Sequence, residues 1–147
     1  MSLETPKSFE GKSGLFAITH DFKIIYIGKA GYSNSVFRES KRELKCSKLL
    51  IEHGDLPKSV MHSDPQAFAY VNEHCQRYVG IVSEEIQRSS QLNRLLDNAE
   101  NLLIYELNKV TPLYNEQLKD KYSHGRPFTV INAGNNPADL KTQYSVS

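Results

Sequence analysis

Cysteine is scarce in this chain. There are two, Cys46 and Cys75. Their spacing fits no metal-ligand pattern, so free thiols in a reducing cytosol are expected, not a disulfide framework or a zinc site. No apolar run approaches the roughly 20 residues that a membrane-spanning helix needs. Met1 to Lys12 is polar and lacks the apolar centre of a signal peptide, so a flexible arm on a cytoplasmic protein is expected. Net charge is also small, +1 over 147 residues, which argues against a surface coated in basic side chains. There is no internal repeat and no low-complexity tract. What is left is the composition of an ordinary globule, 39% hydrophobic and 24% charged, of a length that fits one domain.

The small net charge hides an asymmetry. Residues 23–58 hold eight Lys or Arg against four Asp or Glu, a local +4, while residues 59–117 hold four against eight, a local −4. The basic segment is the natural place for a polyanion to dock.

Two apolar runs, Leu15 to Ile18 and Ile24 to Ile27, read as strands joined by a short polar turn. Neither alternates cleanly, which predicts a hairpin covered on both faces. A three-residue loop, His20 to Phe22, would set Thr19 opposite Lys23 and Phe16 opposite Tyr26. Ser33, Asn34 or Ser35 could cap a helix running roughly from Val36 to His53, which Gly54 to Pro57 ends. Pro65 after Asp64 marks a second helix start, with an end near His74. Arg77 to Val82 reads as a third strand. From about Gln91 to Lys109 apolar residues recur at three- and four-residue steps, the clearest helix in the chain, and Thr111-Pro112 stops it. Phe128 to Ile131 reads as a last edge strand, and residues 132–147 as a loose tail. The expected class is α+β, a small three-stranded mixed or antiparallel sheet with helices on its faces, in one domain over 13–131.

Gly14-Leu15-Phe16 and Tyr26-Ile27-Gly28 together resemble the two motifs of the GIY-YIG nucleases, the second letter for letter. A basic helix, a later helix with a carboxylate, and Pro112-Leu113-Tyr114-Asn115 follow in the order of that family. The resemblance covers roughly Gly14 to Asn115 and makes 54–90 an insertion. It implies a Mg²⁺- or Mn²⁺-dependent endonuclease that hydrolyses DNA phosphodiester bonds, of restriction, repair or mobile-element type. In that family a tyrosine activates water, an arginine binds phosphate and a glutamate holds one divalent metal.

Carried onto this chain, Tyr26 is the water-activating residue, and Lys29 the neighbouring cation that a phenol needs for that role. Arg38 is the phosphate ligand, with Arg42 one turn on as its substitute, because a guanidinium fork can grip two phosphate oxygens. Lys45 and Lys48 extend the nucleic-acid surface. Glu100 is the metal ligand, since Mg²⁺ prefers carboxylate oxygen, and Glu106 is the competing choice. Gly14, Gly28 and Asn115 are structural. Phe16 departs from the family pattern, where a tyrosine usually stands, so any proton relay through that hydroxyl is missing. The five histidines have no metal-ligand spacing, but His20 in the hairpin could replace the missing proton carrier. The departure at Phe16 supports an alternative, a catalytically impaired nucleic-acid-binding or interaction module on the same fold. A homodimer, or a dedicated inhibitor protein, is a further possible partner.

Overall fold

The computed structural model describes residues 1, 3, 9, 11–30, 42–61, 63–115 and 128–146. Strands β1 (Gly14–His20) and β2 (Lys23–Ala30) form a hairpin, and β3 (Cys75–Ile81) joins the other side of β1. Both pairings are antiparallel, in the order β2-β1-β3. Helix α1 (Arg42–Glu52) is followed by a 3₁₀ turn at Lys58–Val60 and by α2 (Asp64–His74), which leads directly into β3. The short α3 (Glu84–Gln87) precedes the long α4 (Leu92–Asn108), and a second hairpin pairs β4 (Phe128–Ile131) with β5 (Gln143–Val146).

The predicted helix starts are explained locally. Ser63 accepts a hydrogen bond from Gln66 N at 3.3 Å, with Pro65 in the first turn, the arrangement of an N-cap followed by proline. α4 buries Leu92, Leu96, Ala99, Leu102, Leu103, Ile104 and Leu107. Part of the first predicted helix, residues 36–41, lies outside the described residues.

The hairpin turn is one residue shorter than expected. Asp21 and Phe22 alone form it, both at positive φ, 48° and 70°, the mirror-image turn whose twist suits a two-residue connection. His20 therefore pairs with Lys23, and Thr19 with Ile24. A bulge then lets the register slip, so Ile18 pairs with Tyr26 and Phe16 with Gly28, not with Tyr26.

The bulge explains why the second apolar run does not alternate. Ile24 and Ile27 pack with Leu15, Ala17 and α4. Ile25 and Tyr26 pack instead with Ile18 and residues of α1 and α2. One extra residue keeps two neighbours on one face. Both faces of the sheet are covered, α4 on one and α1 with α2 on the other.

One expectation is corrected, and another, the arm over 1–12, lies mostly outside the described residues. The loose tail holds β5, with Leu140 and Tyr144 in the α4 core. Gln143 to Val146 is too short, and too polar around Tyr144, to announce a strand. At the start of the expected flexible arm, Met1 packs into the same core and its amine bonds Ala133 O and Asn136 Oδ1. No helix among the described residues is long and apolar enough to cross a membrane.

β2 lies at the edge of its sheet, yet its outer edge is occupied. Ile25 O accepts from Tyr114 N at 2.6 Å. Asn115 Oδ1 accepts from Ile27 N at 3.0 Å, and Asn115 Nδ2 donates to Ile27 O at 2.7 Å. Asp139 accepts from Ile24 N at 3.1 Å. Asn115 is 7% exposed, so removing its amide leaves two buried backbone groups without partners. Asn115→Ala is expected to cost roughly 2–4 kcal/mol, read from denaturant midpoints. Asn115→Asp should recover only part of this, because it can accept from Ile27 N but cannot donate to Ile27 O. Equal stability of parent and Asn115→Ala would refute this role.

Candidate active site

Gly14 and Gly28 are fixed by close approach. A Cβ on Gly14 would stand 2.0 Å from Gly80 O, so β1 and β3 can meet there only without a side chain. A Cβ on Gly28 would stand 2.3 Å from Cζ of Phe16. The Phe16 ring lies across the glycine and stacks beside Tyr26, with centroids 6.0 Å apart at 29°.

Tyr26 faces α1. Its hydroxyl lies 3.4 Å from Lys45 Nζ, and the same ammonium sits 4.5 Å from the ring centroid. Among the described residues, the cation beside Tyr26 is therefore Lys45. Lys29, expected in that role, is an odd number of strand positions from Tyr26 and turns to the α4 face. There it pairs with Asp97. Lys48 is exposed one turn beyond Lys45. Arg38 lies outside the described residues, and Arg42 opens α1 with its side chain outside them.

Glu100 is half-buried on α4. Burial pushes its carboxyl above the ordinary range, and the charge of Lys29 draws it partly back. It has no hydrogen-bond partner among the described residues. Asp97, one turn earlier on the same helix, has Lys29 as its partner. Glu106 is bonded to Lys109 at 3.4 Å, and its charge acts on Tyr144, so it belongs to the β5 end of the helix. The structure thus brings Lys29 to Asp97, one turn from Glu100, and Tyr26 to Lys45, on the two faces flanking the C-terminal half of β2. It does not bring Lys29 to Tyr26.

His20 does not substitute for the hydroxyl missing at Phe16. It stands at the other end of β1, where its Nε2 is 3.0 Å from Tyr70 OH. Reading the sequence missed this group and missed Asp97. The one available signal for Asp97 was its position three residues before Glu100.

The implied divalent ion can be tested against these groups. No cluster of three or more His, Cys, Asp or Glu side chains suited to a metal occurs among the described residues. Mg²⁺ keeps most of its waters and needs only one or two carboxylates beside substrate phosphate. A half-buried carboxylate without a hydrogen bond, one turn from a second carboxylate, meets that minimal need.

Comparison with known proteins adds no assignment: no family model, no curated protein and no solved structure matches the chain.

Two outcomes follow from this geometry. Gly28→Ala should destabilise the fold by about 1–3 kcal/mol through overpacking. Adding Phe16→Leu should relieve part of that cost, so the double variant should be more stable than the sum of the singles allows. Simple additivity would mean that the ring moves aside freely.

The second outcome concerns pH. A carboxyl whose folded pKa is raised contributes stability that is complete below its unfolded value, about 4.3, and is lost as pH rises through the folded value. Glu100→Gln should then melt with the parent near pH 4 and above it at pH 7, in the presence of chelator. A melting difference that is the same at both pH values would contradict the assigned burial cost.

Proposed function

We propose that this chain is a divalent-metal-dependent endonuclease of the GIY-YIG kind, acting on DNA in the cytoplasm. The observation that carries the reading is the half-buried Glu100 on α4, one turn from Asp97, whose partner Lys29 directly follows Tyr26-Ile27-Gly28 in the sequence. A half-buried carboxylate with no hydrogen bond from the described residues is costly to keep ionised, and a divalent cation with a phosphate would offset that cost. Glu100, with Asp97 beside it, would hold the ion. When bound, Mg²⁺ supplies positive charge for the phosphate and leaving oxygens. On this reading Tyr26 activates the attacking water, with the Lys45 ammonium as its cationic neighbour. Lys45, Lys48 and the arginines Arg38 and Arg42 bind phosphate.

A second reading is favoured by two specific observations. Phe16 has no hydroxyl, and Tyr26 and Lys29 lie on opposite faces of the sheet. A nucleic-acid-binding module on the same fold would need Tyr26, Lys45 and Lys48 but no working carboxylate.

One assay separates the two. The purified protein is incubated with supercoiled plasmid, single-stranded DNA and single-stranded RNA, each with Mg²⁺ and with chelator. The nuclease reading expects metal-dependent cleavage that Glu100→Gln abolishes and Glu106→Gln spares, with binding retained in both. Phe16→Tyr should change the rate little. A dead parent that gains on the order of 10²–10⁴-fold from Phe16→Tyr would instead identify the lost hydroxyl as the missing base. Binding without cleavage by parent and Phe16→Tyr alike leaves the second reading.

A further inference from the structure

The β1–β2 turn carries a residue that its conformation disfavours. Phe22 has φ 70°, in the left-handed region where glycine or asparagine is preferred and a bulky side chain is an outlier. The side chain gains nothing from packing in return. It is 75% exposed and belongs to none of the core clusters.

The turn is nevertheless held firmly. Asp21 N donates to His74 O at 2.9 Å. Asp21 Oδ1 lies 2.8 Å from His74 Nδ1. His20 Nε2 bonds Tyr70 OH at 3.0 Å, and the Tyr70 and His74 rings stack at 4.2 Å. The hairpin tip is thus latched to the end of α2. Strained backbone persists where its surroundings over-determine it, and such positions cluster at functional sites.

The surroundings of Phe22 select its partner. Lys23 follows it and is exposed. The Asp21 carboxylate on its other side is bonded to His74 and lies 3.6 Å from His20. Two further carboxylates lie near the tip, Glu73 at 4.0 Å from His74 Nε2 and Asp139, which accepts from Ile24 N at 3.1 Å. Among the described residues, none of the other large exposed apolar side chains (Leu3, Ile51, Met61, Val110, Ile131) lies on β1, β2 or α2. A protein interface wants a contiguous desolvated patch. An exposed ring on a turn held by hydrogen bonds, with a lysine next in sequence, suits a nucleobase, which presents a π-face and a phosphate together.

We infer that Phe22 is a base-stacking residue, presented on a rigid hairpin tip, that contacts an unpaired or unstacked nucleotide. The inference rests on the reading that this chain binds nucleic acid, and it adds a contact distinct from the phosphate surface of α1.

The test is fluorescence anisotropy with labelled single-stranded and duplex oligonucleotides, in chelator so that nothing is cut. Phe22→Ala should weaken single-strand binding about 5- to 150-fold, the range that base–aromatic stacking supplies. The salt slope should stay unchanged, because no charge is removed. Phe22→Trp should restore binding. Phe22→Gly should raise the melting temperature while lowering affinity, since it relieves the turn and deletes the ring. Parent affinity in Phe22→Ala would overturn the inference while leaving nucleic-acid binding in place, and would point to a protein partner for the tip. A parent that binds no oligonucleotide would overturn the inference and the proposed function together.

Discussion

The amide of Asn115 carries the architecture around the candidate site. It gives Ile27 both a donor and an acceptor from one side chain, as a neighbouring strand would. β2 is the edge of a three-stranded sheet, and an open edge invites pairing with other chains. The segment leaving α4 closes it instead, Tyr114 at Ile25 and Asn115 at Ile27. That closure also fixes where α4 ends relative to β2. The relation of Lys29 to Asp97 and Glu100 depends on the same short segment.

The bulge in β2 is the second constraint. It turns Ile25 and Tyr26 to one face while Ile27 and Lys29 serve the other. Without it, every residue on one side of the slip would swap faces relative to those on the other. Ile24 buried under α4 and Tyr26 facing Lys45 are both consequences. The chemistry is divided in the same way: a phenol and an ammonium on the α1 face, two carboxylates and an ammonium on the α4 face. The two sets are joined by three residues of strand, about 10 Å.

The legible parts of the sequence were those with a strong local signal. The α4 stripe, the Ser63–Pro65 start of α2 and the two apolar runs of the hairpin each carry their own periodicity or cap. The failures share a cause, which is that the deciding contact is distant in sequence. The bulge depends on helices packing against both faces, so a three-residue turn gave an equally reasonable register beforehand. β5 is held by Leu140 and Tyr144 against α4, and four polar-rich residues do not reveal that. Lys29 was assigned to Tyr26 by nearness in sequence, whereas strand alternation sent it to Asp97 and left Lys45, from another element, beside the phenol. Arg38 lies outside the described residues.

The resemblance to a nuclease motif can be weighed letter by letter. Gly14 is required because Gly80 O occupies the space a side chain would take, and Gly28 because the Phe16 ring does. Ile27 is buried against α4 and pinned at its backbone by Asn115. These letters have sufficient reasons in packing alone, and any protein with this hairpin geometry could need them. Tyr26 is different, because its ring is only partly covered and its hydroxyl reaches an exposed lysine. Glu100 is different for the opposite reason, because a carboxylate is half-buried with no hydrogen bond from the described residues to offset it. Packing would be better served by a phenylalanine at 26 and by an apolar residue at 100. Tyr26 and Glu100 are therefore the pair of side chains that the fold itself does not require.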